Sequence, residues 1–92
     1  MKYIVRRTAK FKKDYKRMIR RGYDISKLNT VIELLAENGN LPEKYLDHAL
    51  KGEWLGFREC HVEPDWLLVY KIENDVLVLT LTNTGTHADI FG

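Results

Sequence analysis

Three histidines, His48, His61 and His87, and an acid, Asp65, are the side chains of this 92-residue sequence best suited to proton chemistry. Imidazole has an unperturbed pKa of about 6.5, so it both takes and gives protons near neutral pH. Two such groups and a carboxylate are what RNA needs in order to be cut by its own 2′-hydroxyl. One takes the proton of the attacking hydroxyl, and another protonates the departing 5′-oxygen. A lone histidine in a strand or loop is more often a packing or surface residue, so convergence decides. The same four residues also form a ligand set for zinc or non-haem iron, although no H-x-H or H-x-x-x-H spacing preorganises them. Phe91, one residue from the end, is hard to place in a core, and an exposed ring stacks on an unstacked base. Trp66 is a second candidate for stacking, whereas Trp54 reads as packing.

Charge points the same way. Residues 1–21 carry ten of the fifteen Lys and Arg and a single acid, Asp14; residues 22–92 carry the other five and twelve acids. Clustered positive charge attracts phosphates whatever the total. The cations Lys10, Lys12, Lys13, Lys16, Arg17, Arg20 and Arg21 line one helical arc. In the first turn of a helix such charges oppose the macrodipole by about 0.3–1 kcal/mol each, and like charges at i, i+4 add smaller penalties. Stability therefore does not explain the arc; an anion-binding face does, with a solvated face that serves solubility as the bland alternative.

The elements that must position these groups follow from local pattern. Met1 to Arg7 reads as a short strand. Thr8 caps a helix whose apolar stripe is Phe11, Tyr15, Met18 and Ile19, and Gly22 ends it. A second helix runs from a cap at Asp24 or Ser26 to Asn38, with Ile25, Leu28, Val31, Ile32 and Leu35 on one face. Residues 39–53 read as loop. Trp54 to Val62, Trp66 to Glu73 and Val76 to Asn83 read as strands, separated by turns. The reading is one α+β domain over residues 1–92. A helical hairpin packs on an antiparallel sheet, in the order β-α-α-β-β-β.

Two-residue loops at Pro64-Asp65 and Asn74-Asp75 set the registers. The first pairs Glu63 with Trp66 and His61 with Leu68. The second pairs Glu73 with Val76, Leu68 with Leu81, and Trp66 with Asn83. His61, Asp65, Trp66 and Asn83 then gather at one end of the sheet, from which the tail carrying His87 and Phe91 departs. His48 lies in a polar loop able to reach them.

Composition excludes several classes. Hydrophobic residues make up 45% and charged residues 30%, too apolar for a disordered tail. A single cysteine, Cys60, rules out an internal disulfide framework and a Cys-rich zinc module, and suits a reducing compartment. The longest apolar run, Trp66 to Tyr70, is far short of a membrane span. The N-terminal stretch has basic residues but no apolar run, so no signal peptide is expected, and the chain reads as cytoplasmic.

Three segments carry a family likeness: Asp47-His48-Ala49-Leu50-Lys51-Gly52, Phe57 to Trp66, and Thr84 to Phe91. The motifs DHxLxG, HVxPDW and TGTH…F, in this order, closely resemble the YafQ branch of the RelE toxin superfamily. The likeness spans essentially the whole chain. It implies a RelE-like microbial RNase toxin fold and the toxin of a type II toxin–antitoxin pair, a ribosome-dependent endoribonuclease that cuts mRNA in the A site. The implied site is His48, His61, Asp65, His87 and Phe91. His87 is the general acid, Asp65 and His61 are candidates for activating the 2′-hydroxyl, His48 assists and Phe91 orients the substrate. No metal or other cofactor is implied. The implied partners are a cognate antitoxin, ribosomal RNA gripped by the first helix, and mRNA, with no membrane, and operator DNA only through the antitoxin. One departure stands out. Where the family usually has an arginine before the TGTH tail, this chain has Asn83. Lys51 or Arg58 would have to supply the missing charge on the scissile phosphate, or the domain is a weaker nuclease, or cleavage depends more on the ribosome. A catalytically silent binding module of the same fold stays open as the alternative.

Overall fold

The computed structural model describes residues 2–92, so Met1 of the expected first strand lies outside the described residues. Strand β1 (Ile4–Arg7) leads into helices α1 (Ala9–Arg20) and α2 (Ile25–Asn38). Then come β2 (His48–Ala49), β3 (Arg58–Glu63), β4 (Trp66–Glu73), β5 (Val78–Gly85) and a terminal helix, α3 (His87–Phe91). Each long helix begins where its cap residue dictates. The Thr8 hydroxyl accepts from the Phe11 amide at 3.0 Å, and the Asp24 carboxylate from the Ser26 amide at 3.1 Å. Gly39 ends α2 with φ +72°, and a Cβ there would fall 2.7 Å from the Tyr3 hydroxyl, so no other residue fits comfortably.

The five strands lie in the order β1-β5-β4-β3-β2. The expectation of a purely antiparallel sheet is corrected here. The sheet is mixed, because β1 runs parallel to β5, and the two helices between them provide the crossover that a parallel pair requires. Part of the expected loop, His48–Ala49, pairs with β3 as an edge strand. The expected short tail is the helix α3. Trp54 stands in a 3-10 turn (Gly52–Trp54), and β3 begins only at Arg58.

Both helices pack on one face of the sheet. Phe11 and Met18 of α1 and Leu28, Val31, Ile32 and Leu35 of α2 meet Cys60, Trp66, Leu68, Tyr70, Leu79 and Leu81. The buried stripe of α1 is rotated from its apolar pattern. Phe11, Asp14 and Met18 face inward, while Ile19 is 48% exposed. The reason is the Asp14 carboxylate, which accepts from the Thr84 amide of β5 at 3.1 Å, from Arg17 at 3.0 Å and from Lys10. Thr84 extends this network inward: its hydroxyl accepts from the Trp66 indole at 3.0 Å and donates to the Leu67 carbonyl at 2.8 Å.

Candidate active site on the open sheet face

Two bulges decide which side chains share the face away from the helices. Glu63 pairs with Trp66 as the turn predicts, but the register shifts between His61 and Glu63, and His61 stands opposite Leu67 rather than Leu68. The β4–β5 turn spans four residues, Asn74 to Leu77, so Glu73 pairs with Val78. A further shift beside Val69 sets Asn83 opposite Val69 rather than Trp66. Each expected register would have put its residue on the core face. The bulges turn His61 and Asn83 outward. Directly paired residues share a face, so one row across the sheet reads His48, Glu59, Val69, Asn83, and the next His61, Leu67, Gly85.

The rings over this face form a continuous rim. Centroids lie 6.5 Å apart for His48 and His61, 6.0 Å for His61 and His87, and 6.4 Å for His87 and Phe91. Trp54 continues the rim, edge-on to Phe91 at 5.3 Å, and Phe57 lies beyond it at 6.0 Å. Beneath them Leu67 and Val69 are fully buried although they face away from the helices.

Each imidazole is oriented by a partner. The His48 Nδ1 lies 2.9 Å from the Leu46 carbonyl and the His61 Nδ1 3.1 Å from the Pro64 carbonyl. A carbonyl only accepts, so both Nδ1 atoms carry hydrogen, and Nε2 is the free nitrogen of the neutral rings. Both Nε2 atoms lie 3.6 Å from the same atom, Oε1 of Glu59, a residue only 5% exposed. At that distance the contact is electrostatic rather than a hydrogen bond, so either Nε2 can still take a proton. The resulting imidazolium would face a carboxylate. The sequence reading passed over Glu59, yet Glu59-x-His61 in a strand puts both side chains on one face, and that spacing is the signal that would have found it.

On the other side of the rim, Asp65 Oδ1 accepts from both the backbone amide (3.1 Å) and Nδ1 (2.7 Å) of His87. Those bonds, the side-chain one foremost, hold the Asp65 carboxyl below its ordinary range. Asp65 therefore stays ionised and orients His87, leaving the ring's Nε2 free to carry a proton outward. His87 starts α3, which a reciprocal cap secures. The Thr86 hydroxyl accepts from the Asp89 amide at 3.2 Å, and Asp89 accepts from the Thr86 amide at 2.9 Å. Arg21, the C-cap of α1, grips the same Asp89 through two bonds of 2.6 and 3.2 Å, and its guanidinium drives that carboxyl well below the usual range.

The remaining sequence candidates divide clearly. Lys12, Lys13, Lys16, Arg20 and Lys51 are exposed. Lys10 and Arg17 bind Asp14, and Arg21 binds Asp89, so part of the basic arc anchors the fold. Arg58 stands opposite Tyr70 of the core face, and its guanidinium holds Asp47 at 3.1 and 3.2 Å. The Tyr70 hydroxyl, pushed up first by burial and then by this carboxylate, also donates to Asp47. The triad pins the loop that delivers His48, so Arg58 is not a spare cation for a phosphate. Trp66 is fully buried with its indole bound to Thr84. The expectation that Trp66 stacks on a base is corrected, because its ring belongs to the core. Among the described residues no group of three or more His, Cys, Asp or Glu is arranged to hold a metal ion, and no helix is long and apolar enough to cross a membrane.

A mixed five-stranded sheet, helices on one face and a rim of imidazoles on the other, with a basic helix alongside, defines a small α+β domain equipped for acid–base chemistry. Residues 3–92 match the family described as the bacterial toxin of type II toxin–antitoxin systems, YafQ, and the chain belongs to that family. It is 43% identical over 86 residues to the mRNA interferase toxin YafQ of Escherichia coli, an alignment covering 92% of this chain and 91% of that protein. It resembles the crystal structure of E. coli YafQ with a TM-score of 0.91 and 40% identity, covering 98% of this chain and 99% of that one. A chain of the E. coli DinJ–YafQ complex matches with a TM-score of 0.89 and 41% identity over the same shares.

Proposed function

We propose that this protein is the toxin of a type II toxin–antitoxin pair, an endoribonuclease that cuts mRNA in the ribosomal A site and so arrests translation. The observation that carries the reading is the convergence of three imidazoles with Glu59 and Asp65 at one end of the open sheet face. His48 and His61 are alternative bases: whichever neutral Nε2 meets the 2′-hydroxyl takes its proton, and Glu59 faces the imidazolium that results. His87 is the general acid, protonating the 5′-oxygen as it leaves. The products are a 2′,3′-cyclic phosphate and a free 5′-hydroxyl. The His61 and His87 ring centroids lie 6.0 Å apart, close enough for both rings to reach one phosphodiester laid across the rim. The nucleophile belongs to the RNA, so both proton transfers fall to side chains. Asp65 acts through His87, and Phe91, 42% exposed against Trp54, offers a base a ring to stack on.

The exposed cations of α1 would grip ribosomal RNA. A groove of about 320 Å³ with Phe11 and Tyr15 in its lining and Arg7, Lys12 and Lys16 around it suits an acidic amphipathic segment of the antitoxin. The proposed setting is the cytoplasm.

Primer extension on translated mRNA tests the acid. Wild-type protein should give codon-linked cuts, and His87→Ala should lower them about 10²–10⁴-fold; undiminished cuts in that variant would remove His87 from the role. Wild-type protein expressed without antitoxin should stop growth, and growth that continued would favour a silent binding module. Asn83 faces the site in the row of His48 and Glu59 but brings no charge. Asn83→Arg should raise cleavage about tenfold, the effect of one charge-assisted contact to the phosphate, and an unchanged rate would mean that charge is supplied elsewhere.

A further inference from the structure

A second groove opens where β3 meets α2 and the 3-10 turn Glu43–Tyr45. Its volume is about 640 Å³, and Lys27, Thr30, Lys44, Tyr45, His61 and Pro64 line it. That volume falls within the range of about 300–1,000 Å³ typical of small-ligand pockets. The decisive feature is His61, which belongs both to this groove and to the rim of imidazoles. The groove thus shares a wall with the candidate active site through His61, and His87 is not in its lining.

Chemistry fixes which part of an RNA strand reaches it. In self-cleavage the attacking hydroxyl belongs to the nucleotide upstream of the cut, and the leaving oxygen to the nucleotide downstream. With His48 and His61 as bases and His87 as acid, the upstream nucleotide lies towards His61 and the downstream one towards Phe91 and Trp54. We propose that the groove between α2, the Glu43–Tyr45 turn and β3 is the subsite for the upstream nucleotide, with Lys27 and Lys44 meeting the phosphate on its 5′ side. The proposal rests on the RNA-cleavage reading of the rim.

Charge agrees with this occupant. Lys27, Lys44 and Glu63 are the Lys, Arg and acidic side chains of the lining, leaving it cationic before His61 is counted. Lys27 contacts Glu63 at 3.0 Å across an exposed pair, and such a pair is weak enough to yield to a phosphate. The Lys44 ammonium sits over the Tyr45 ring, 5.1 Å from its centroid, beside the opening rather than in the core.

The test uses the whole protein and two uncleavable dinucleotides, each with a 2′-deoxyribose at the attacking position. One carries a 5′-phosphate and the other a 3′-phosphate. In an amide NMR titration the 5′-phosphorylated probe should move Thr30, Lys44, Tyr45 and Val62 and bind about fivefold more tightly than the other, the effect of one exposed ion pair. The Lys27→Ala/Lys44→Ala variant should lose that preference, and Lys27→Arg/Lys44→Arg should keep it. Equal binding of the two probes, shifts confined to Phe91 and Trp54, no shift at all, or a preference that survives the double alanine variant would overturn the subsite. If the wild type cuts translated mRNA while the subsite fails, only this inference falls. If the wild type does not cut, the cleavage reading falls first.

Discussion

Asp14 and Glu59 are the two carboxylates among the described residues that lie almost wholly out of water, at 1% and 5% exposure, and the protein treats them in opposite ways. Asp14 is saturated by donors whose charge does not change near neutral pH: a backbone amide, a lysine and an arginine. Glu59 faces the Nε2 atoms of two imidazoles, each at 3.6 Å, the side-chain type that suits proton transfer. A burial penalty of similar kind is thus met once by directly hydrogen-bonded donors and once by two imidazoles at longer range. The first arrangement locks α1 onto β5 just before the His87 helix. The second leaves a buried carboxylate on the open face beside two imidazole nitrogens. Burial of an acid alone does not mark a functional group; what surrounds it does.

The sharpest way to break this contrast is to remove the saturated acid. Asp14→Ala leaves the Thr84 amide without its acceptor and removes the anion between Lys10 and Arg17. Loss of about 2–4 kcal/mol is expected, seen as a lower urea midpoint at unchanged slope. Cleavage per folded molecule should barely change. Full stability with lost cleavage would move Asp14 into the same category as Glu59.

Glu59→Gln makes the reverse cut. The amide keeps the volume and an acceptor but brings no charge to face an imidazolium. Stability should hold within about 1 kcal/mol, while cleavage falls about tenfold, the equivalent of roughly 1.4 kcal/mol of transition-state stabilisation. The pH–rate profile should change shape, a readout that mere packing would not move, and Glu59→Asp should recover part of the rate. A variant that cuts like wild type with an unaltered profile would reduce Glu59 to a filler.

Why one carboxylate was legible in the sequence and neither environment was is itself physical. The caps, the face of α2 and the β-α-α-β-β-β order are local, and Thr8, Asp24 and the strand runs separated by turns announced them. Convergence of His61, Asp65 and His87 at one end of the sheet was also legible, because the Pro64-Asp65 turn tied them together. The facing of His61 and Asn83 was not. A bulge inserts one residue, and one residue inverts a period-two pattern. The parallel pairing of β1 with β5 was hidden as well, since nothing local distinguishes it from an antiparallel edge. Asp14 looked like the one acid in a solvated basic helix, and only the Thr84 amide, seventy residues away, shows why it faces inward. Trp66 looked like a stacking candidate because it is an aromatic residue in a chain with a basic surface, but its indole finds its partner inside the core, at Thr84.

The smallest predicted effect probes the link between the two regions. Arg21 sits at the end of the helix that Asp14 anchors, and its partner Asp89 closes the cap from which His87 departs. Gly85 leaves room for that cap: a Cβ there would lie 2.8 Å from the Asp89 carboxylate. Arg21→Gln should lower the melting temperature by a few degrees and reduce cleavage less than Glu59→Gln does, through looser placement of His87. The Asp89 carboxyl is depressed in the folded state, chiefly by Arg21. Its stabilisation is therefore complete above the unfolded value of about 3.9 and is lost as pH falls through the folded one. The gap between wild type and Arg21→Gln should accordingly be full at neutral pH and close only in acid, followed through the chemical shift of the Thr86 amide that Asp89 accepts. A gap that opened with acid, or that was unchanged far below pH 4, would mean that Arg21 acts through the helix and not through this pair.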